Sequence, residues 1–386
     1  MSEAKACLLG AGEFCSIIAV QLHIQDPANP NAPFLHEKIL ELCQGAMRGG
    51  GAFAFVSSDG VKLLLKDEVF KKFAGASKFE LVVGIDAITN EKALKALNET
   101  SKELPKLDVK VFCHDRFPAI FHPKFCWFRH RTKSYLLTGS GNLTAKGLRG
   151  NWEGFGVGEL GRDSANALEK QWGDWRQFHE SRLKPVDDPA VVARAAQNVR
   201  QFRPARRTPE EIEVEAEDAG RGQEKDVQVI PTCDVLIAEI PRSGNRWKQA
   251  NFRISTFRQF FGAEPGEFRR VVFQHVNADG ELGALENRQS VSVKSQNYRF
   301  ELDAAAGLAY PNNGRPVGVF IRIAPRTFLY RLMMPYDPDY GIVKAILDTQ
   351  WTGRTDRMRC FSTNTDFLRQ AWPNSPLWTT ALEVQD

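Results

Sequence analysis

The sequence predicts an α/β sandwich over its first part and a mostly β domain, a barrel or sandwich, from about residue 231 onward. Three observations predict this. Through about residue 160, short β-rich runs alternate with stretches of helix-period apolar spacing. From about 184 to 230 the chain becomes rich in proline and charge and poor in large apolar residues. After Pro231, short β-rich runs follow one another with Gly, Pro and Asn turns between them. A chain of 386 residues is also too long for one ordinary core, so two domains are expected.

Taken in order, residues 51–57, 79–84 and 109–113 are short, β-rich and bounded by turn residues, and read as strands. Residues 34–47 and 90–97 carry helical apolar spacing between them. Two further strands are expected at 120–127 and 134–138. A loop at 139–142 leads into a short helix at 143–148, and a segment at 164–183, with Trp172 and Trp175 at helical spacing, closes the domain. The first domain is therefore set at 1–183. Residues 184–230 form a linker that includes the acidic tract 210–218, and 231–386 form the second domain. The tract reads as a solvated connector, or as an acidic arm that shields a positive groove until substrate arrives. Strands in the second domain are expected at 235–239, 269–275, 289–293, 298–302 and 317–323.

A formal net charge of +4 is small for this size, so any basic surface must come from arrangement. The seven cysteines are scattered and never form a C-x-x-C pair, which argues against a disulfide framework and against a zinc site. No cofactor and no metal site is expected. The N-terminal stretch is mildly apolar, but Glu13 interrupts it, and no stretch approaches the roughly 20 apolar residues of a membrane span. A reduced, cytoplasmic setting without membrane contact is the expectation.

The specific signal lies at residues 121–153. His122 and Lys124 sit two apart, Ser140 and Asn142 sit two apart, and Glu153 follows. On an extended strand, residues i and i+2 share a face. Phosphodiester cleavage needs a nucleophile, charge stabilisation on the non-bridging oxygens and a proton for the leaving alkoxide. Neutral His122 can attack phosphorus through one ring nitrogen while Glu153 holds the proton on the other. Lys124, Ser140 and Asn142 can carry the developing charge, and Gly139 and Gly141 let backbone N–H groups approach an anion. One histidine cannot be nucleophile and general acid in the same step. The other H-x-K, at 36–38, opens an amphipathic helix and lacks a downstream G-S-x-N, so it reads as a decoy. The missing acid is then His122 of a second copy across a two-fold axis.

This constellation resembles the phospholipase D superfamily, whose motif is H-x-K with a downstream G-S-x-N. His122, Lys124, Ser140 and Asn142 fill those positions. The Asp that many members carry five residues after the Lys is replaced by Arg129, which weakens a lipid-hydrolase reading. The chain looks more like the branch of metal-independent nucleases that includes restriction endonucleases, where a Glu corresponding to Glu153 follows the Asn. The resemblance covers roughly residues 50–180. It implies an α/β sandwich of the phospholipase D type, one motif per chain, a homodimeric active site formed by the N-terminal domains and a phosphohistidine intermediate.

Residues 242–253 interleave cations, amides and aromatics on an expected exposed loop: Arg242, Asn245, Arg246, Trp247, Lys248, Gln249, Asn251 and Arg253. A second segment holds Lys294, Gln296, Asn297 and Arg299. Arg suits guanine edges, Asn and Gln suit adenine, and Lys suits phosphate. The alternative is a polar loop capping a barrel. With the N-terminal chemistry, the arrangement resembles the B3-like DNA-binding pseudobarrel fused to phospholipase-D-type restriction endonucleases, which implies double-stranded DNA as partner. Whether a separate methyltransferase or ATPase works alongside is open. Gly10 and Gly12 lack the third glycine of a dinucleotide site, and His114 reads as a satisfied structural histidine.

The expected function is thus a metal-independent, sequence-specific DNA endonuclease of restriction type. The alternatives are a nonspecific nuclease, a phospholipase or phosphatidyl transferase, and a non-catalytic DNA-binding protein on the same scaffold.

Overall fold

The computed structural model describes residues 17–86, 88–115, 119–200, 232–242, 249–263, 269–289, 291–292, 298–354 and 357–379. The acidic tract 210–218 lies outside the described residues.

The first unit is built on an eight-stranded sheet. Its strands are β1 (Ile17–Gln25), β2 (Arg48–Phe53), β3 (Lys78–Gly84), β4 (Leu107–Phe112), β5 (Lys124–Arg129), β6 (Ser134–Gly139), β7 (Glu153–Leu160) and β8 (Leu183–Lys184), in the order β1-β7-β6-β5-β2-β3-β4-β8. β2, β3 and β4 run parallel and the remaining pairs antiparallel. The parallel strands need crossovers, and helices supply them. α1 (Leu35–Cys43), α2 (Ser58–Leu64), α3 (Glu68–Ala76) and α4 (Glu91–Glu103) pack on one face over a core that includes Leu40, Val61, Phe70, Leu81 and Phe128. Ser57, Asp67 and Asn90 cap α2, α3 and α4 by accepting from Gly60 N, Val69 N and Ala93 N, so each start is written locally. On the other face α5 (Arg162–Phe178) lays Trp172 and Trp175 over a second core with Ala52, Val82 and Phe112.

The linker expectation is corrected over residues 184–200. Lys184 pairs with Val111 in the sheet, and α6 (Pro189–Arg200) packs on α4. The polar residues that suggested a connector are its anchors: Arg194 reaches Asp86 at 3.0 Å, and Asn198 Nδ2 donates to Ile85 O at 2.7 Å.

The second unit holds β9 (Asp234–Glu239), β10 (Gln249–Phe252), β11 (Arg270–Val276), β12 (Leu282–Gln289), β13 (Val291–Ser292), β14 (Tyr298–Glu301), β15 (Val317–Ala324), β16 (Thr327–Met333) and β17 (Cys360–Asn364). They form a six-stranded sheet, β12-β11-β16-β15-β9-β17, and a three-stranded sheet, β10-β14-β13. A phenylalanine-rich core, with Phe252, Phe261, Phe273, Phe300, Phe320 and Phe328, fills the space they enclose. α8 (Tyr340–Gln350) and α9 (Thr365–Ala371) cover the other face of the larger sheet, and α7 (Ile254–Gln259) packs Phe257 into the aromatic core. Among the described residues no ladder joins the two sheets, so they form two layers where a single closed barrel was one expectation. The residue 242–253 stretch is also corrected in part, since 249–252 is the strand β10 and not loop.

A buried ionic latch ties the two units together. Glu37 on α1 accepts from Arg326 Nη2 at 2.8 Å and from Arg270 N at 2.7 Å, and lies 3.6 Å from Arg149. Arg270 Nε reaches Asp67 at 2.7 Å, and Asn287 Nδ2 donates to both Asp67 and Leu63 O at 3.0 Å. The guanidinium groups of Arg149 and Arg326 both lie over the Phe34 ring, at 4.4 and 4.6 Å from its centroid. Burial pulls Arg149 below its usual range, and Glu37 pulls it back. The H-x-K at residues 36–38 is therefore structural: the His36 ring meets Leu148 O at 3.1 Å and its neighbour Glu37 holds the second unit.

Candidate active site

Sheet order alone gathers the motif. Lys124 opens β5 opposite Phe53, which ends β2; Gly139 ends β6 opposite Phe155, two residues into β7. Four antiparallel strands thus begin or end together at one end of the sheet, and His122, Lys124, Ser140 and Glu153 all lie there.

His122 is not on the strand as expected. Pro123 has no N–H to give the ladder, so β5 starts at Lys124 and His122 stands exposed in the preceding loop. The two side chains still meet, with Lys124 Nζ 2.9 Å from His122 Nε2 and 3.2 Å from Nδ1. Phe55 walls them in, its ring 5.7 Å edge-on from the imidazole and 5.9 Å from Lys124 Nζ. The His122 loop is pinned one residue earlier by Asp86, which accepts from Phe121 N at 3.1 Å while holding His114 and Arg194. His114 is thereby a satisfied structural histidine.

Ser140 bridges β6 and β7. Its N–H donates to Gly154 O at 3.0 Å, its hydroxyl oxygen accepts from Gly154 N at 3.1 Å, and its O–H donates to the Glu153 carboxylate. Leu143 N donates to Phe55 O and Ser57 N to Leu143 O, both at 3.1 Å, which clamps the loop to the chain after β2. Asn142 between these anchors is 4% exposed, and its Oδ1 is buried without a hydrogen-bond partner. A buried acceptor without a partner is costly, and it is the Nδ2 end of this amide that could donate to a phosphate oxygen.

The expected helix at 143–148 is a single π turn at Lys146–Gly150. The motif glycines also have a packing role that the sequence does not show. A Cβ on Gly139 would meet Phe155 Cβ at 2.6 Å, and one on Gly141 would meet Leu35 Cδ2 at 2.5 Å and Gly147 O at 2.6 Å. Close packing requires glycine at both positions. Arg129, where the motif Asp was absent, reaches Glu169 on α5 at 3.5 Å. Phe55 and Asp86 were missed by sequence reasoning; Phe55 closes a recognisable β-rich run, but nothing local marks Asp86.

Of the expected DNA contacts, Asn245, Arg246, Trp247, Lys248, Lys294, Gln296 and Asn297 lie outside the described residues. Gln249 and Asn251 are on β10, and Asn251 is in register with Arg299 on β14. Arg253 is exposed just before α7, and Arg242 lies 5.9 Å over the Tyr310 ring beside a cavity of about 490 Å³ that Asn312 and Arg315 also line. Tyr310, Asn312 and Arg315 had no motif to flag them.

Among the described residues no group of three or more His, Cys, Asp or Glu side chains is placed to hold a metal ion, and no helix is long and apolar enough to cross a membrane.

No family model and no curated protein matches the sequence. Solved structures with similarity to this chain include Nuc from Salmonella typhimurium, a phospholipase D family member, at 16% identity and TM-score 0.30, covering 43% of this chain and 96% of that one. NucT from Helicobacter pylori is similar at 11% identity and TM-score 0.30, covering 43% of this chain and 99% of NucT. Phosphatidylserine synthase from Haemophilus influenzae is similar at 16% identity and TM-score 0.31, covering 47% and 45%.

Proposed function

We propose that this chain is a phosphodiesterase of the phospholipase D type acting on DNA, and specifically a metal-independent endonuclease of restriction type. The observation that carries the reading is the convergence of His122, Lys124, Ser140, Asn142 and Glu153 at one end of one sheet. A ring nitrogen of His122 attacks phosphorus, forming a P–N bond as the P–O bond to the leaving alkoxide breaks. His122 of the partner subunit gives that alkoxide its proton. Water then breaks the P–N bond, losing a proton to the partner's imidazole and restoring the first. Lys124 and Asn142 stabilise the equatorial oxygens, and Glu153 fixes the tautomer, with Ser140 fixing Glu153.

A homodimer is favoured by β1. Its outward residues Val20, Leu22 and Ile24 are 61, 75 and 56% exposed, and face glycines 158, 156 and 154 across the ladder. This apolar stripe runs along the sheet edge to the residue after Glu153, so a second copy seated on it brings its own catalytic end close. The second unit, with Arg242, Asn251, Arg253 and Arg299, would select the target.

Plasmid DNA incubated with the protein in excess EDTA tests this. Discrete fragments are expected, lost in His122→Ala, with a bell-shaped pH–rate profile because one imidazole must be neutral and its mate protonated. A smear would leave a nonspecific nuclease, and no cleavage at any salt concentration would sink the endonuclease reading.

A further inference from the structure

The catalytic end of the sheet is held by more than its ladder. β1 pairs with β7 from Ile17 opposite Leu160 to Gln25 opposite Glu153, and there the backbone pairing stops. The chain that precedes Glu153, from the Asn142 loop through the π turn to Asn151, lies off the sheet. Gln25 reaches across to it with a fully buried side chain, 0% exposed. Its Oε1 accepts from Leu35 N at 2.9 Å, and its Nε2 donates to Asn151 O at 2.8 Å and Gly147 O at 3.3 Å.

Those partners are 10, 126 and 122 residues away, so nothing in the local sequence marks the residue. An amide has an acceptor oxygen and two N–H donors, and backbone groups have fixed roles, so the three contacts also fix which way the amide points. Leu35 N opens α1 and has no acceptor within its own helix. Glutamate at this place would set a carboxylate against two carbonyl oxygens, and methionine would leave all three backbone groups bare.

Each contact bears on a catalytic group. Directly opposed residues of an antiparallel pair share a face with Cβ atoms about 5 Å apart, so Glu153 stands between Gln25 on β1 and Ser140 after β6. Asn151 comes two residues before Glu153. Gly147 packs on the Asn142 backbone, where an added Cβ would lie 2.5 Å from Asn142 N.

We propose that Gln25 is a positioning residue for phosphodiester cleavage: through Asn151 and Gly147 it holds Glu153 and Asn142 at their working separation without touching the substrate. The inference rests on the phosphodiesterase reading and adds the group outside the motif that keeps the motif's two halves together.

The test measures kcat and KM of the full-length protein on bis(p-nitrophenyl) phosphate across pH, with a circular dichroism spectrum of each variant. Gln25→Met is similar in volume and removes the contacts. Its kcat should fall about 100-fold, the cost of displacing a catalytic group by about 1 Å, while KM stays near that of the unsubstituted protein. Gln25→Glu supplies a readout that packing alone does not move. Burial against two carbonyl oxygens favours its neutral acid, which offers one O–H donor and one acceptor in place of the amide. Its kcat, as a ratio to that of the unsubstituted protein at each pH, should be highest at low pH and fall as the carboxyl ionises. This variant carries the test if Gln25→Met does not fold. Thr365→Val removes an equally buried contact, to Cys233 N in the second unit, and should leave kcat unchanged. The proposal is overturned if Gln25→Met lowers kcat no more than Thr365→Val, if the loss is confined to KM, or if the Gln25→Glu ratio stays flat with pH in a folded variant. Failure of the unsubstituted protein to hydrolyse the diester removes the phosphodiesterase reading, whereas hydrolysis that no Gln25 variant alters removes only the role of Gln25.

Discussion

Replacing Glu37 by alanine removes the carboxylate that Arg326 and Arg149 share and that also accepts from Arg270 N. All of these side chains are at most a tenth exposed, so water cannot take over. Breaking a buried pair from one side costs about 3–5 kcal/mol, because the surviving cation stays desolvated. Taking about 4 kcal/mol and a urea m-value of about 2 kcal/mol per molar, the unfolding midpoint should fall by about 2 M. Tryptophan fluorescence in urea measures this, read on the transition that includes separation of the two units, since a chain of two units need not unfold in one step. Lys38→Ala is the internal control: Lys38 pairs with Glu41 at 2.7 Å on an outer face of the same helix, and such a pair contributes about 0.3–0.5 kcal/mol. A Glu37→Leu/Arg326→Met double variant should recover much of the loss, since buried ion pairs are often replaceable by well-packed apolar groups. The reasoning is refuted if Glu37→Ala shifts the midpoint no further than Lys38→Ala does.

Gly147→Ala should leave the fold intact while lowering catalysis: the added Cβ would sit 2.5 Å from Asn142 N and 2.8 Å from Asn142 O, and displacing a catalytic group by about 1 Å can cost about 100-fold. Rates with bis(p-nitrophenyl) phosphate beside a circular dichroism spectrum check it, and an unchanged rate would show that Asn142 does not need its present place. His275 is pushed down to about 4 from 6.5, chiefly by burial, so the unfolded chain takes up a proton there first as pH falls. Its contribution is therefore complete above pH 6.5 and is lost down to pH 4, a total of about 3 kcal/mol. His275→Gln should flatten the stability–pH curve in that window, and His36, also held low by burial, should leave a residual slope. Leu22→Glu places a charge in the exposed β1 stripe and should shift sedimentation from dimer to monomer with loss of cleavage; a dimer that survives it places the interface elsewhere.

Legibility in the sequence followed how local the physics was. The H-x-K and G-S-x-N segments could be placed near one another because strand alternation and turn residues act over a few positions, and caps such as Ser57 and Asn90 act over three. Even there, Pro123 moved the start of β5 past His122, a backbone donor effect that the pattern of apolar residues does not carry. Phe55 and Asp86 reach the site from 67 and 36 residues before His122, and only the pairing of β5 with β2 brings Phe55 alongside. The latch lies further from local reasoning: Glu37 and Arg326 are 289 residues apart, and a buried Glu on an amphipathic helix looks the same in sequence as a solvated one. α6 was hidden because its anchoring side chains are polar, so a composition reading took docking residues for linker.

The latch and the catalytic loop share a short piece of chain, and this gives the π turn its place in the architecture. Asn142 ends the motif loop, and Arg149, seven residues on, donates to Pro325 O at 3.0 Å and Arg326 O at 2.9 Å at the turn between β15 and β16. Between them Gly147 packs on the Asn142 backbone, while Gln25 Nε2 reaches Gly147 O at 3.3 Å and Asn151 O at 2.8 Å. The segment touches the loop on one side and the second unit on the other within five residues, and it does so as a single π turn. The β15–β16 turn is thus joined to the Asn142 backbone through Arg149, held at three points, and through Gly147, which has no side chain. Arg149→Lys, which keeps the charge but cannot reproduce the forked contacts to Thr327, Pro325 and Arg326, should lower the turnover number more than substrate affinity. An equal effect on both would mean that the latch holds the units together without setting the loop.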